Sequence, residues 1–168
     1  VDINHCYLQG EPSNEIRNFI KAHALNEGLS FYNIREQKGF LRTLIIRTAS
    51  TGEVMVILAF GHEDTEVREK LLNALVENFP QITSLMYVIN EKLNDTLTDQ
   101  EIICYHGRDH IYEEMEGLKF KIGPKSFYQT NSEQAYNLYS QTRALADLTG
   151  NETVYDLYTG TGTIANFV

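Results

Sequence analysis

Ile16, Phe19, Ile20 and Ala24 recur at helical spacing between Ser13 and Gly28, which predicts a helix over residues 13–27 with Ser13 as its cap and one face buried. The runs Leu41 to Ala49 and Glu53 to Phe60, rich in Ile and Val and joined by Ser50-Thr51-Gly52, predict a hairpin. Val67, Leu71, Leu72, Leu75, Val76 and Phe79 share one side of a second helix over 64–79. Pro80 ends it, since proline has no N–H to donate and its ring crowds the preceding turn. Ile82 to Asn90 is another β-type run, so the first ninety residues read as helix, strand, strand, helix, strand, a compact α+β unit.

Between Glu91 and Glu116 the pattern weakens into eight acids against two bases, which reads as a solvated face with short strands at 102–105 and 111–115. From Leu118 to Tyr128 the sign reverses, with Lys119, Lys121 and Lys125 and no acid. Asn131 or Ser132 then caps a helix reaching about Leu148, with Ala135, Leu138, Tyr139, Thr142 and Leu145 along one side. Thr153 to Tyr158 predicts a short strand, followed by Thr159-Gly160-Thr161-Gly162 and the start of a helix.

Composition narrows the class. Over 168 residues, 42% hydrophobic and 22% charged fit a globular chain of one to one and a half domains and exclude a disordered, collagenous or coiled-coil one. Fourteen bases against 23 acids give a net charge of −9, which opposes wholesale coating of nucleic acid or anionic membrane and leaves room for a local basic face. The longest apolar run, Val54 to Phe60, is far short of the ~18 residues that cross a bilayer. The first residues carry neither a basic n-region nor an apolar h-region, so no secretory signal is expected. Cys6 and Cys104 make no disulfide framework, and a reducing, cytoplasmic setting is expected.

The glycine turn after the predicted strand is a place where backbone can adopt positive φ and approach a ligand at the carboxyl edge of a sheet. Three readings compete. Gly160, Gly162 and Ala165 fit a dinucleotide fingerprint; Asp156 before the turn suits S-adenosylmethionine, whose sulfonium and α-amino groups are cationic; or the turn holds no ligand. Asp156 favours S-adenosylmethionine, because the dinucleotide version carries an apolar residue there.

Lys121-Ile122-Gly123-Pro124-Lys125-Ser126-Phe127-Tyr128-Gln129-Thr130-Asn131, then a capped helix, then Asp156-Leu157-Tyr158-Thr159-Gly160-Thr161-Gly162-Thr163, resembles the S-adenosylmethionine-dependent RNA uracil-C5 methyltransferases that make 5-methyluridine, the RumA and TrmA family. Asp2 to Gln9, expected as a strand carrying Cys6, and Gly39-Phe40-Leu41-Arg42 look like its ribosomal-RNA branch, which implies 23S rRNA as substrate. The resemblance implies an α/β architecture: a central α+β RNA-binding domain over 1–118, then over 119–168 the first elements of a Rossmann-like methyltransferase domain. It implies cofactor contacts from Gln129, Tyr158 and Thr163, beside Asp156, Gly160 and Gly162. Thr159 and Thr163 stand where relatives commonly carry Cys and Asn. Cys6 aligns with the last of four cysteines that hold a four-iron, four-sulfur cluster in some members; it is otherwise a small buried hydrophobe.

Uracil C5 is a weak nucleophile, so its methylation calls for a thiolate adding at C6 and a base removing the C5 proton. In the family that cysteine and carboxylate lie beyond Val168, so no catalytic residue is assigned within these residues. Cys104, in the apolar run Ile102-Ile103-Cys104-Tyr105, is expected to be buried and inert despite His106 and Asp109 nearby. The five histidines show no zinc-site spacing. Arg35, Lys38, Arg42 and Arg47 with Phe31, Tyr32 and Phe40 suit phosphate neutralisation and stacking on a looped, unpaired uridine. A non-enzymatic RNA-binding module with a degenerate cofactor turn, and a dinucleotide enzyme, are the rival readings. Ile164, Phe167 and Val168 in the final helix are expected to be exposed, swapped or disordered.

Overall fold

The computed structural model describes residues 2–168. Helix α1 (Ser13–Glu27) precedes strands β1 (Leu41–Thr48) and β2 (Val54–Phe60), helix α2 (Thr65–Asn78), and strands β3 (Ile82–Ile89) and β4 (Ile103–Gly107). A second hairpin, β5 (Ile111–Met115) and β6 (Leu118–Ile122), leads to helices α3 (Ser132–Ala146) and α4 (Thr163–Phe167).

The main sheet has the order β1-β2-β3-β4. β1 and β2 pair antiparallel through the short turn, β2 and β3 pair parallel because α2 carries the chain across, and β4 returns antiparallel on the outer edge. Every residue of β2 is buried, as an uninterrupted apolar strand requires when both faces are covered. Val54, Val56, Leu58 and Phe60 pack with Ile16, Ile20 and Ala24 of α1 and Leu71, Leu72 and Leu75 of α2. Met55 and Ile57 face the other way, against Met86, Ile111 and Ile122. A third cluster, Met115, Phe120, Ala135, Tyr139 and Phe167, joins the small hairpin to α3 and α4. No helix among the described residues is long and apolar enough to cross a membrane.

Helix termini follow the chemistry of their caps, with one revision. Asp64 accepts the N–H of Val67 at 3.2 Å and Asn131 that of Gln134 at 3.0 Å. At α1, however, Ser13 is already helical, and Glu11 takes the capping role by accepting the N–H groups of Asn14 (3.1 Å) and Glu15 (3.2 Å). The longer carboxylate reaches two free donors at once, where a serine hydroxyl would reach one.

Three further expectations change. Strand β6 emerges where only a reversal of charge was read, because Glu116 and Gly117 both take positive φ (49° and 81°) and make a two-residue hairpin turn. Residues 2–9 and 153–158 form no strand, since neither segment has a neighbouring strand to accept its ladder. Phe167 is 3% exposed, sealed by Tyr136, Tyr139 and the Arg143 guanidinium 4.3 Å above its ring, while Ile164 remains open.

Candidate cofactor site

The motif loop between β6 and α3 is held by two cations, one from β1 and one of its own. Arg47 of β1 donates to the carbonyls of Gly123 (3.3 Å) and Ser126 (2.7 Å), and Lys125 donates to those of Thr98 (2.9 Å) and Gln100 (2.6 Å). Partial burial pushes the Arg47 guanidinium below its ordinary pKa, a cost offset by its two carbonyl bonds. The loop then delivers Gln129 to the wall of a cavity of about 360 Å³, shared with Cys6, Arg47, Glu113, Tyr128 and Ser132.

Glu113 organises that cavity. It was counted among the solvated acids, yet it is 1% exposed. The alternation along β5 places it on the inward face with Ile111 and Met115, and this period of two is the signal that could have found it. Its carboxylate accepts the Ser50 N–H (3.1 Å), the Ser50 hydroxyl, the Glu114 N–H (3.1 Å) and the Ser132 hydroxyl (2.8 Å). A buried carboxylate with this many donors is satisfied without a cation. It ties the β1–β2 turn to the first residue of α3, three positions past Gln129. Beside it, burial first and the Glu113 charge second push the Tyr128 phenol up to about 12, and its hydroxyl finds no partner among the described residues.

The glycine turn is a separate structure. Gly162 donates to the Thr159 carbonyl (2.8 Å), Thr159 donates its hydroxyl to the Asp156 carbonyl (2.8 Å), and Gly160 and Gly162 hold φ of 59° and 75°. Positive φ makes glycine the fitting residue at 162, where a side chain would also displace the Asn166 amide. Tyr158 takes φ of 66° and stands fully exposed. Thr163 is buried, its hydroxyl sharing a 2.8 Å hydrogen bond with that of Thr161. The Asp156 carboxylate accepts no hydrogen bond among the described residues. Gln129 and the glycine turn do not line this cavity together: the turn contributes none of its walls.

The expected RNA face divides. Phe40 is 4% exposed, packed on Phe60 and His62, so its ring cannot stack on a base. Arg42 donates to the carbonyls of Asn90, Lys92 and Asn94, each at 2.6 Å, over the Tyr32 ring. With Arg47 also turned inward, Arg35 and Lys38 are the exposed cations of the predicted set. Cys104 is exposed on edge strand β4 rather than buried, and partial desolvation and then the Asp109 charge raise its thiol pKa. Asp109 pairs with His110 at 2.6 Å, so no Cys-His-Asp relay forms.

Among the described residues no three His, Cys, Asp or Glu side chains gather as a metal site. Cys6 offers a single thiol at the cavity wall, its N–H donating to Asn14 Oδ1 at 2.7 Å. These residues alone do not build an iron–sulfur cluster, which takes several thiolates.

No protein-family model matches the chain. Curated relatives do. A protein named uncharacterized RNA methyltransferase from Porphyromonas gingivalis is 61% identical across the whole chain, and its namesakes from Bacteroides thetaiotaomicron and Clostridium tetani are 58% and 34% identical. The chain spans 37% of the length of each. Among solved structures, a tRNA (uracil-54, C5)-methyltransferase of Pyrococcus abyssi, in complex with S-adenosyl-L-homocysteine, superposes on 99% of the chain and 40% of its own length, with a TM-score of 0.79 at 30% identity. Sequence and fold agree along the chain, which is similar over its whole length to one segment of these longer methyltransferases.

Proposed function

We propose that the full-length protein transfers a methyl group from S-adenosylmethionine to C5 of a looped uridine in RNA. The observation that carries this reading is the superposition of nearly the whole chain on a uracil-C5 enzyme. S-adenosylmethionine supplies an electrophilic methyl on a sulfonium. Gln129, fixed at the cavity wall by the Arg47 clamp and the Glu113 hub, orients the cofactor through its amide. The glycine turn offers backbone at Gly160 and Gly162, the unpartnered Asp156 carboxylate answers the cofactor's positive charge, and Tyr158 and Thr163 flank it. The thiolate that adds at C6 and the carboxylate that removes the C5 proton come from outside these residues. A four-iron, four-sulfur cluster in the full-length protein would take one thiolate from Cys6 and the rest from elsewhere.

Resemblance to the ribosomal branch favours 23S rRNA as the substrate. The test is tritium release from RNA labelled at uracil C5, using the full-length protein, S-adenosylmethionine, and unmodified 23S rRNA or tRNA. Cofactor-dependent release from 23S rRNA is the expected result, release from tRNA alone would reassign the substrate, and release from neither would leave an RNA-binding module. Gln129→Ala should raise the cofactor Kd by roughly three- to ten-fold, the worth of one side-chain hydrogen bond, as read by calorimetry.

A further inference from the structure

β1 is an edge strand, and α1 lies beside it, so a furrow runs along its open side. The Gln129 cavity lies at one end, by Ile46 to Thr48. At the other, by Leu41 to Leu44, is a second cavity of about 270 Å³. Its floor is apolar, from Ile20, Leu41, Leu44 and Leu58, and one wall is Phe31, which stands 51% exposed. Arg17 and Lys21, one helical turn apart on α1, reach the rim. In a chain of net charge −9, this lining holds Arg17, Lys21 and Arg42 against one acid, Asp2.

Phe31 is rigidly placed. It roots a tongue, residues 31–41, closed by bridges from Phe31 to Leu41 and from Asn33 to Lys38. Asn33 Oδ1 accepts the Arg35 and Glu36 N–H groups (2.9 and 3.3 Å), and Tyr32 donates its hydroxyl to Gln37 Oε1 (2.9 Å). Gly39, at φ of 133°, lets the two arms close: a Cβ there would lie 2.4 Å from the Phe31 carbonyl oxygen. An aromatic ring held half in water, above an apolar floor and beside two cations, is suited to stacking on an unpaired base. The Asp2 carboxylate sits on the Lys21 ammonium, marking a position that an anionic oxygen can occupy.

We propose that this cavity is an accessory pocket for one unpaired nucleotide of the RNA, separate from the nucleotide that is methylated. The base stacks on Phe31 and its phosphate displaces Asp2 from Lys21, while Arg17, whose guanidinium donates to the Ile3 carbonyl and to Asn14 Oδ1, adds its charge at the rim. Arg35 and Lys38, exposed on the same tongue, take flanking phosphates. The inference rests on the RNA methylation reading.

The full-length protein and its substrate RNA provide the test, with Phe31→Ala, Phe31→Trp and Lys21→Glu compared with wild type. Phe31→Ala should raise the KM for RNA by roughly five- to a hundred-fold, the worth of one aromatic–base stack, with the loss falling on KM rather than on kcat, and Phe31→Trp should restore it. Lys21→Glu should weaken RNA binding and lower the slope of log affinity against log salt by about one. Photocrosslinking with iodouridine-substituted RNA should recover the peptide bearing Phe31. A wild-type KM in Phe31→Ala, or crosslinks confined to other peptides, would overturn the pocket while methylation stands. An altered cofactor Kd or melting temperature in Phe31→Ala would equally count against it, as the mark of a structural role. Absence of methyl transfer by the wild-type protein to any RNA would instead remove the methylation reading.

Discussion

β2 and the run from Thr153 to Tyr158 both read as apolar strands, and they meet opposite fates. In β2 every side chain is buried, with β1 and β3 on its flanks and packed elements on both faces. In the later segment Val154, Tyr155, Leu157 and Tyr158 stand exposed and no ladder forms. The difference teaches that an apolar run becomes a strand when the chain itself supplies a neighbour: β2 finds one across a short turn and another after one helix. Local propensity is similar in both, and pairing decides.

The sharpest way to break this contrast is to weaken the packed region. Leu72→Ala removes a fully buried side chain from the α2 face of the core and should cost about 2 to 5 kcal/mol in urea unfolding. Leu157→Ala, though it deletes the same atoms, should move stability by less than about 0.5 kcal/mol. Equal losses would mean that the exposed segment is packed in solution. Glu113→Ala probes the joint between the β1–β2 turn and the start of α3. Stranding the donors of Ser50 and Ser132 should cost about 2 to 3 kcal/mol by the same measurement, with Glu113→Gln recovering part of it. A neutral Glu113→Ala would show that water replaces the carboxylate.

Smaller still is the effect of alkaline pH on Tyr128. Its folded pKa, about 12, lies above the ordinary 10, so between these values the unfolded chain has lost a proton that the folded chain keeps. Stability from this group is complete below pH 10 and falls as pH rises towards 12. Tyr128→Phe should flatten that decline in melting temperature; an unchanged decline would assign it to other groups.

Most of the first ninety residues was legible because periodicity and punctuation agreed there: α2 runs from its Asp64 cap to the residues before Pro80. The shortfalls have common causes. Glu113 was grouped by charge when its position in the alternation of β5 decided its burial. Arg42, Arg47 and Phe40 suit RNA by type, and long-range partners such as the Asn90 and Ser126 carbonyls and Phe60 claimed them instead. β6 depended on two residues of positive φ. The glycine turn was visible from composition, whereas its separation from the Gln129 cavity is a property of packing.

The Glu113 hub gives the chain a form of epistasis. Ser50, in a surface turn between two strands, and Ser132, at the start of α3, are distant in sequence and bond to the same carboxylate. Neither position is free to drift alone: a change at one alters what the shared acid can offer the other. The turn of an outer hairpin thereby inherits the selective constraints of the loop that carries Gln129.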